Sequence, residues 1–149
     1  MLDELRERMA AYLAHHRVCV LSTVSAQGSW AMPVQYRGRG LEVECLIPRW
    51  ADVAYYLEQN PHVLLVIQGC YVAGLHWLQY RGVARPVAAP DWEVWLPQWA
   101  SAIPPDELYL VIRVTPKRIT LFDESRGWGA RETLDLGEGG LYEENERGK

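Results

Sequence analysis

The sequence predicts an antiparallel β-barrel with few helices, and three observations carry that prediction. Apolar residues recur at every second position in several short segments, the pattern of half-buried strands. Turns containing Gly or Pro separate these segments at hairpin distances. The stretch from Arg17 to Gln68 reads strand, hairpin, strand, short helix, strand. That order is unusual for a parallel α/β sheet and suits an antiparallel barrel with a helix plugging one gap.

Leu2 to His15 reads as an amphipathic helix with Leu2, Leu5, Met9, Tyr12 and Leu13 on one stripe. Asp3 and Glu4 lie near its positive end, and His15, His16 and Arg17 near its negative end. That arrangement explains the two histidines better than metal binding, since adjacent helical residues do not face one site. Val18 to Ser25 reads as the first strand, with Ala26-Gln27-Gly28 turning after it. Trp30, Met32, Val34 and Tyr36 then share one face of a second strand, and Arg37-Gly38-Arg39-Gly40 reads as the next turn. Leu41, Val43, Cys45 and Ile47 restore the alternation until Pro48, which lacks a ladder donor.

Trp50 to Gln59 has helical spacing at Trp50, Val53, Ala54 and Leu57, and Asn60-Pro61 stops it before the strand His62 to Ile67. Leu75 to Val87 reads as a long fifth strand in which Gly82 marks a bulge or a close backbone approach. Asp91 is a candidate N-cap for a short helical or irregular segment around Trp92, Val94, Trp95 and Trp99, ended by Pro104-Pro105. A sixth strand covers Leu108 to Val114, and Thr115-Pro116-Lys117 turns into a seventh, Arg118 to Phe122. From Gly137 to Lys149 the chain is polar and reads as a mobile tail, so a single domain over 1–136 is expected.

Seven Trp and eight Tyr stand beside one Phe, a surplus that suits pocket walls and interfaces. A net charge of -4 gives no electrostatic footprint for nucleic acid. Cys19, Cys45 and Cys70 form no CxxC pair, so zinc is not expected, and buried reduced thiols fit a cytoplasmic protein. The charged start does not read as a signal peptide, and no apolar run approaches a membrane span of roughly 20 residues. There is no GxSxG nucleophile motif and no phosphate loop. His62 and His76 would serve a metal or haem only if the barrel brought them together.

The order Val20-Leu21-Ser22-Thr23-Val24, Met32-Pro33-Val34-Gln35-Tyr36, Leu57 to Val63, Gly82-Val83-Ala84 and Pro116 to Ile119 resembles the pyridoxamine 5'-phosphate oxidase-related, FMN-binding split β-barrel family. The resemblance implies a split barrel of six to eight strands with an N-terminal helix and one or two short helices. It also implies a homodimer with FMN in clefts at the interface. The flavin ring would lie along Met32, Pro33 and Val34 and along Cys45, Leu46 and Ile47. Its phosphate would meet Arg49 beside Trp50. At the helix start, however, Val53 stands near the family's usual Lys, no Ser or Thr accompanies Arg49, and Asp52 would repel phosphate. A second arm, from the partner, would offer Trp77, Gln79, Trp128 and Arg131.

The implied activity is a flavin-dependent oxidoreduction of a small molecule, in which the ring carries the electrons and no side chain is assigned a catalytic role. The competing expectation is a non-catalytic binding or sensing module that holds another cofactor, such as haem, or none. No metal site, nucleic acid or membrane is expected.

Overall fold

The computed structural model describes residues 2–69 and 75–137. Helix α1 covers Leu2–His15, as its periodicity predicts. Leu5, Met9 and Leu13 are buried, whereas Leu2 in the first turn is exposed. Strands β1 (Val18–Ser25), β2 (Gly28–Arg39) and β3 (Glu42–Pro48) precede α2 (Asp52–Gln59). Strands β4 (His62–Gln68) and β5 (His76–Pro86) follow, then the one-turn helices α3 (Trp92–Trp95) and α4 (Pro105–Leu108). Strand β6 (Tyr109–Asp123), the short 3-10 helix Glu124–Arg126 and β7 (Arg131–Asp135) complete the fold.

The sheet order is β3-β2-β1-β4-β5-β6-β7, and β3 also pairs with β6. That last pairing joins Val43 to Val114 and Pro48 to Tyr109, so six antiparallel strands close on themselves and β7 adds a seventh outside. Closure removes the exposed edges that an open sheet would leave. The period-2 faces behave as expected on β1, where Cys19, Leu21 and Thr23 point inward and Val18, Val20 and Val24 outward. Tyr36 and Tyr80 are fully buried, and each hydroxyl reaches a backbone carbonyl, Leu13 O at 2.6 Å and Leu41 O at 2.6 Å. Burial pushes both phenols well above their ordinary pKa.

Several boundaries differ from the sequence reading. β2 runs through Arg39, so the turn sits at Gly40 and Leu41, where Gly40 takes φ 62°. α2 begins at Asp52 and leaves Trp50 outside it, 82% exposed. Pro104-Pro105 opens α4 instead of ending a segment, because proline's fixed φ suits a first helical turn. Thr115-Pro116-Lys117 is no turn: β6 is one 15-residue strand, and the irregularity there is a bulge. Asp91 is the N-cap of α3 but its side chain makes no capping bond. Gly82 is the close approach that the sequence implied, since a Cβ there would meet Thr115 O at 2.5 Å. Cys19 and Cys45 are free and buried, and a hydrogen bond with the Cys19 thiol, followed by burial, raises the pKa of the Cys45 thiol. Cys70 and the tail beyond residue 137 lie outside the described residues.

Helix α1 is tied to β7 by Glu132, which accepts from Arg8 at 2.7 Å and from Arg126 at 2.8 Å. Arg8 and Arg126 hold the Glu132 carboxyl below the ordinary range. A carboxyl depressed by folding contributes stability above its unfolded pKa and loses it as pH falls through the folded one. Between pH 7 and pH 3 the wild-type protein is therefore expected to lose more thermal stability than Glu132→Gln. Equal losses by calorimetry would show that this tether is not ionic.

Candidate functional site

The outer faces of β1 and β2 meet α3 at a cavity of about 410 Å³ lined by Arg17, Val18, Gln35, Tyr36, Arg37 and the α3 residues Val94 and Trp95. Its geometry follows from strand register. Val18 pairs with Gln35, and Tyr36 N donates to Arg17 O at 2.8 Å, so Arg17 and Arg37 are brought to one end of the hairpin. Leu46, the outward residue of β3, packs with Trp95 and Val111, which fixes the aromatic wall. Glu44 is the cross-strand neighbour of Arg37, but it accepts from Arg113 at 2.7 Å and lies 3.6 Å from Arg39. Neither Arg17 nor Arg37 has an ion-pair partner among the described residues. The cavity thus offers an apolar wall, an amide and two guanidiniums, a set suited to a flat, polar-edged ring.

The residues expected to hold a cofactor fall into four groups, one of which, Arg49 and Trp50, lies between β3 and α2. On the β2–β3 side, Pro33 is exposed and Leu46 faces the cavity wall, while Met32 and Val34 turn toward the core. Cys45 and Ile47 are wholly buried there, between β2 and β6, and present no surface to a ligand. On β5, Trp77 stacks on Phe122 with centroids 4.2 Å apart, and Gln79 lies opposite Val66 and Thr120. Beyond the barrel, Trp128 is 97% exposed between Gly127 and Gly129, both at positive φ, and exposed Arg131 pairs across from Phe122. β1 and β4 separate β2 from β5. On the other side of the closed barrel β3 and β5 both flank β6, but Leu46 pairs with Val111 and Trp77 with Phe122, so along β6 the two arms stand roughly 36 Å apart at about 3.3 Å per residue.

The start of α2 does not fit the phosphate end of FMN. Val53 is 2% exposed and belongs to the core, so its position could not present a cation without leaving it. Asp52 carries the first-turn charge, and the N-cap residue Ala51 makes no side-chain capping bond. Arg49 is exposed but its Nε is spent on Asp106 O at 2.7 Å. A phosphate here would meet one guanidinium beside a carboxylate.

His62 and His76 are not brought together. His62 lies opposite Val83 and His76 opposite Asp123, at opposite ends of β5. Among the described residues no group of three or more His, Cys, Asp or Glu could hold a metal ion. His76 instead lies in a second hollow with Tyr12 and His16; Tyr12 stacks on His16 at 4.4 Å and its ring lies 5.1 Å from that of His76. The sequence reading missed Arg17, Gln35, Arg37 and Trp95. Taking residues 37–40 as a turn removed Arg37 from the strand, although its alternation with buried Tyr36 marks it as outward.

No protein-family model matches the chain, and no curated protein matches it. Solved structures do. A candidate pyridoxamine 5'-phosphate oxidase from Listeria innocua superposes with a TM-score of 0.67 at 23% identity, over 78% of this chain and 97% of that one. A FAD-binding protein from Mesorhizobium loti gives 0.58 at 15% identity, over 76% and 90%. A haem-binding protein from Mycobacterium smegmatis gives 0.63 at 15% identity, over 87% of this chain and 56% of that one. No helix among the described residues is long and apolar enough to cross a membrane.

Proposed function

We propose that this chain, which has the split-barrel fold of the pyridoxamine 5'-phosphate oxidase-related proteins, works as a homodimer that holds a flavin between its protomers. The cavity walled by β2, Leu46 and Trp95 of one protomer receives the ring. Trp77, Gln79, Trp128 and Arg131 of the other cover it. The observation that carries this reading is the separation of the two arms: in one chain they face outward on different strands and cannot touch one ligand. The outward valines support it, with Val18 and Val20 exposed on the strand between the arms. Burying such a face on a second copy is favourable by about 25 cal/mol per Å² of apolar surface.

The reaction class is oxidoreduction of a small molecule, with the chemistry supplied by the flavin and the protein confined to holding it and shielding it from water. The same fold carries a second reading, a haem-binding or sensing module, which the misfit of Asp52 and Val53 with phosphate favours.

The test is an absorbance spectrum after incubation with excess flavin and gel filtration, with the mass read by light scattering. Retained flavin bands on a species of twice 17.1 kDa are expected. A Soret band after haem addition, with all flavin released, would overturn the flavin in favour of haem. Val20→Arg places a charge in the middle of the proposed interface and is expected to give a folded monomer that retains no flavin. A Val20→Arg dimer with full flavin retention would remove this face from the assembly.

A further inference from the structure

We propose that a groove at the far end of β1 is a binding site for a phosphate-bearing small molecule, distinct from the cleft beside α3. The groove has a volume of about 460 Å³ and gathers Ser22 to Val24, the start of β4, and Arg81, Gly82 and Lys117. Its β1 residues lie about 13–20 Å along the strand from Val18, at roughly 3.3 Å per residue, outside the cleft beside α3.

Strand irregularity builds its cationic side. Arg81 pairs with Arg118 and Gly82 with Pro116, which leaves Lys117 as the extra residue of a bulge. A bulge re-aims the side chain it frees, here into the groove wall. Lys117 is held in place because its carbonyl accepts from Leu136 N at 2.8 Å. Arg81 and Arg118 are like charges directly opposed, an arrangement that costs stability. The nearby carboxylate, Asp135, lies 2.6 Å from Arg118. Arg81 and Lys117 have no ion-pair partner among the described residues, and no Asp or Glu lines the groove. In a chain with 19 acidic and 15 basic side chains, an acid-free hollow flanked by two cations and the His62 imidazole is an island of positive potential.

The rim is rigid. Asn60 donates to Val24 O at 2.8 Å and accepts from His62 N at 3.1 Å, fixing the imidazole's backbone against β1. Ser22 Oγ donates to Leu64 O at 3.2 Å. Thr23, also among the lining residues, turns its side chain inward, and among the described residues its hydroxyl has no hydrogen-bond partner. Guanidinium, ammonium and imidazole around one hollow match a dianion with several acceptor oxygens. The volume exceeds what a bare phosphate needs, and exposed Val24 beside Leu64 offers apolar surface for the body that bears it.

The test is a titration of the full chain with inorganic pyrophosphate at low ionic strength, followed by amide chemical shifts, with sodium chloride of matched ionic strength as the reference. Saturable shifts confined to residues 22–24, 60–64, 81–82 and 117–118 are expected. Arg81→Gln and Lys117→Gln should each weaken binding at least about fivefold while leaving the rest of the spectrum unchanged. Shifts reproduced by sodium chloride, shifts centred on Arg17 and Arg37, or unchanged affinity in both variants would each overturn the proposal.

Discussion

Riboflavin is expected to bind this protein as tightly as FMN, within about threefold, and Asp52→Lys should raise affinity for FMN alone by at least about tenfold. The reasoning starts at α2. A phosphate gains from a helix N-terminus only if the first turn does not already carry a negative charge, and Asp52 carries one. The Lys exchange removes that repulsion and adds a charge-assisted bond, worth roughly 1.5–3 kcal/mol, or at least a factor of ten. Riboflavin has no phosphate and serves as the internal reference, since it reads only ring recognition. Arg49→Ala then measures what the remaining guanidinium contributes, against Arg6→Ala on the exposed face of α1. FMN binding tenfold tighter than riboflavin in the wild-type chain would mean that the phosphate is held elsewhere, and Asp52→Lys would then change little.

Gly82→Ala is expected to destabilise the protein by about 3 kcal/mol, the upper part of the range for forcing an atom into packed surroundings. The added methyl would lie 2.5 Å from Thr115 O and 2.6 Å from a Val114 methyl. The carbonyl belongs to the bulged strand and cannot retreat without breaking the β5–β6 register. Gly40→Ala is the comparison: its surroundings are open, but its φ of 62° makes alanine cost about 1 kcal/mol. Urea denaturation separates the two. If Gly82→Ala costs no more than Gly40→Ala, the close approach at the bulge is not rigid.

Much of the barrel was legible because its physics is local. Cys19, Leu21 and Thr23 alternate with Val18, Val20 and Val24, and the burial follows that alternation. Asn60-Pro61 stops α2 for a reason visible in two letters. The failures are where tertiary pairing overrides local signals. Thr115-Pro116-Lys117 looks like a turn, yet β5 holds it straight by pairing on both sides of the extra residue. β7 was hidden in a polar stretch because its support comes from β6 and α1, through Leu134 in the core and Glu132 on Arg8. Trp50 has helical spacing with Val53 but precedes the first helical turn, and periodicity alone cannot see a missing turn. The site was less legible than the fold. Arg17 and Arg37 meet only through the register of β1 on β2, and no spacing in the sequence encodes that distance.

The seam between β3 and β6 also bears on how fast this chain reaches its native state. It joins Cys45 to Ile112, and α2, β4, β5, α3 and α4 all lie in the loop that the pairing closes. The β1–β2 hairpin, by contrast, closes across a two-residue turn. Non-local pairing must meet its closure entropy before any ladder bond rewards it, so folding belongs with the slower, millisecond-to-second domains. Conservative truncations in the hairpin, such as Leu21→Ala, should then slow folding, while Ile112→Ala should act mainly by speeding unfolding.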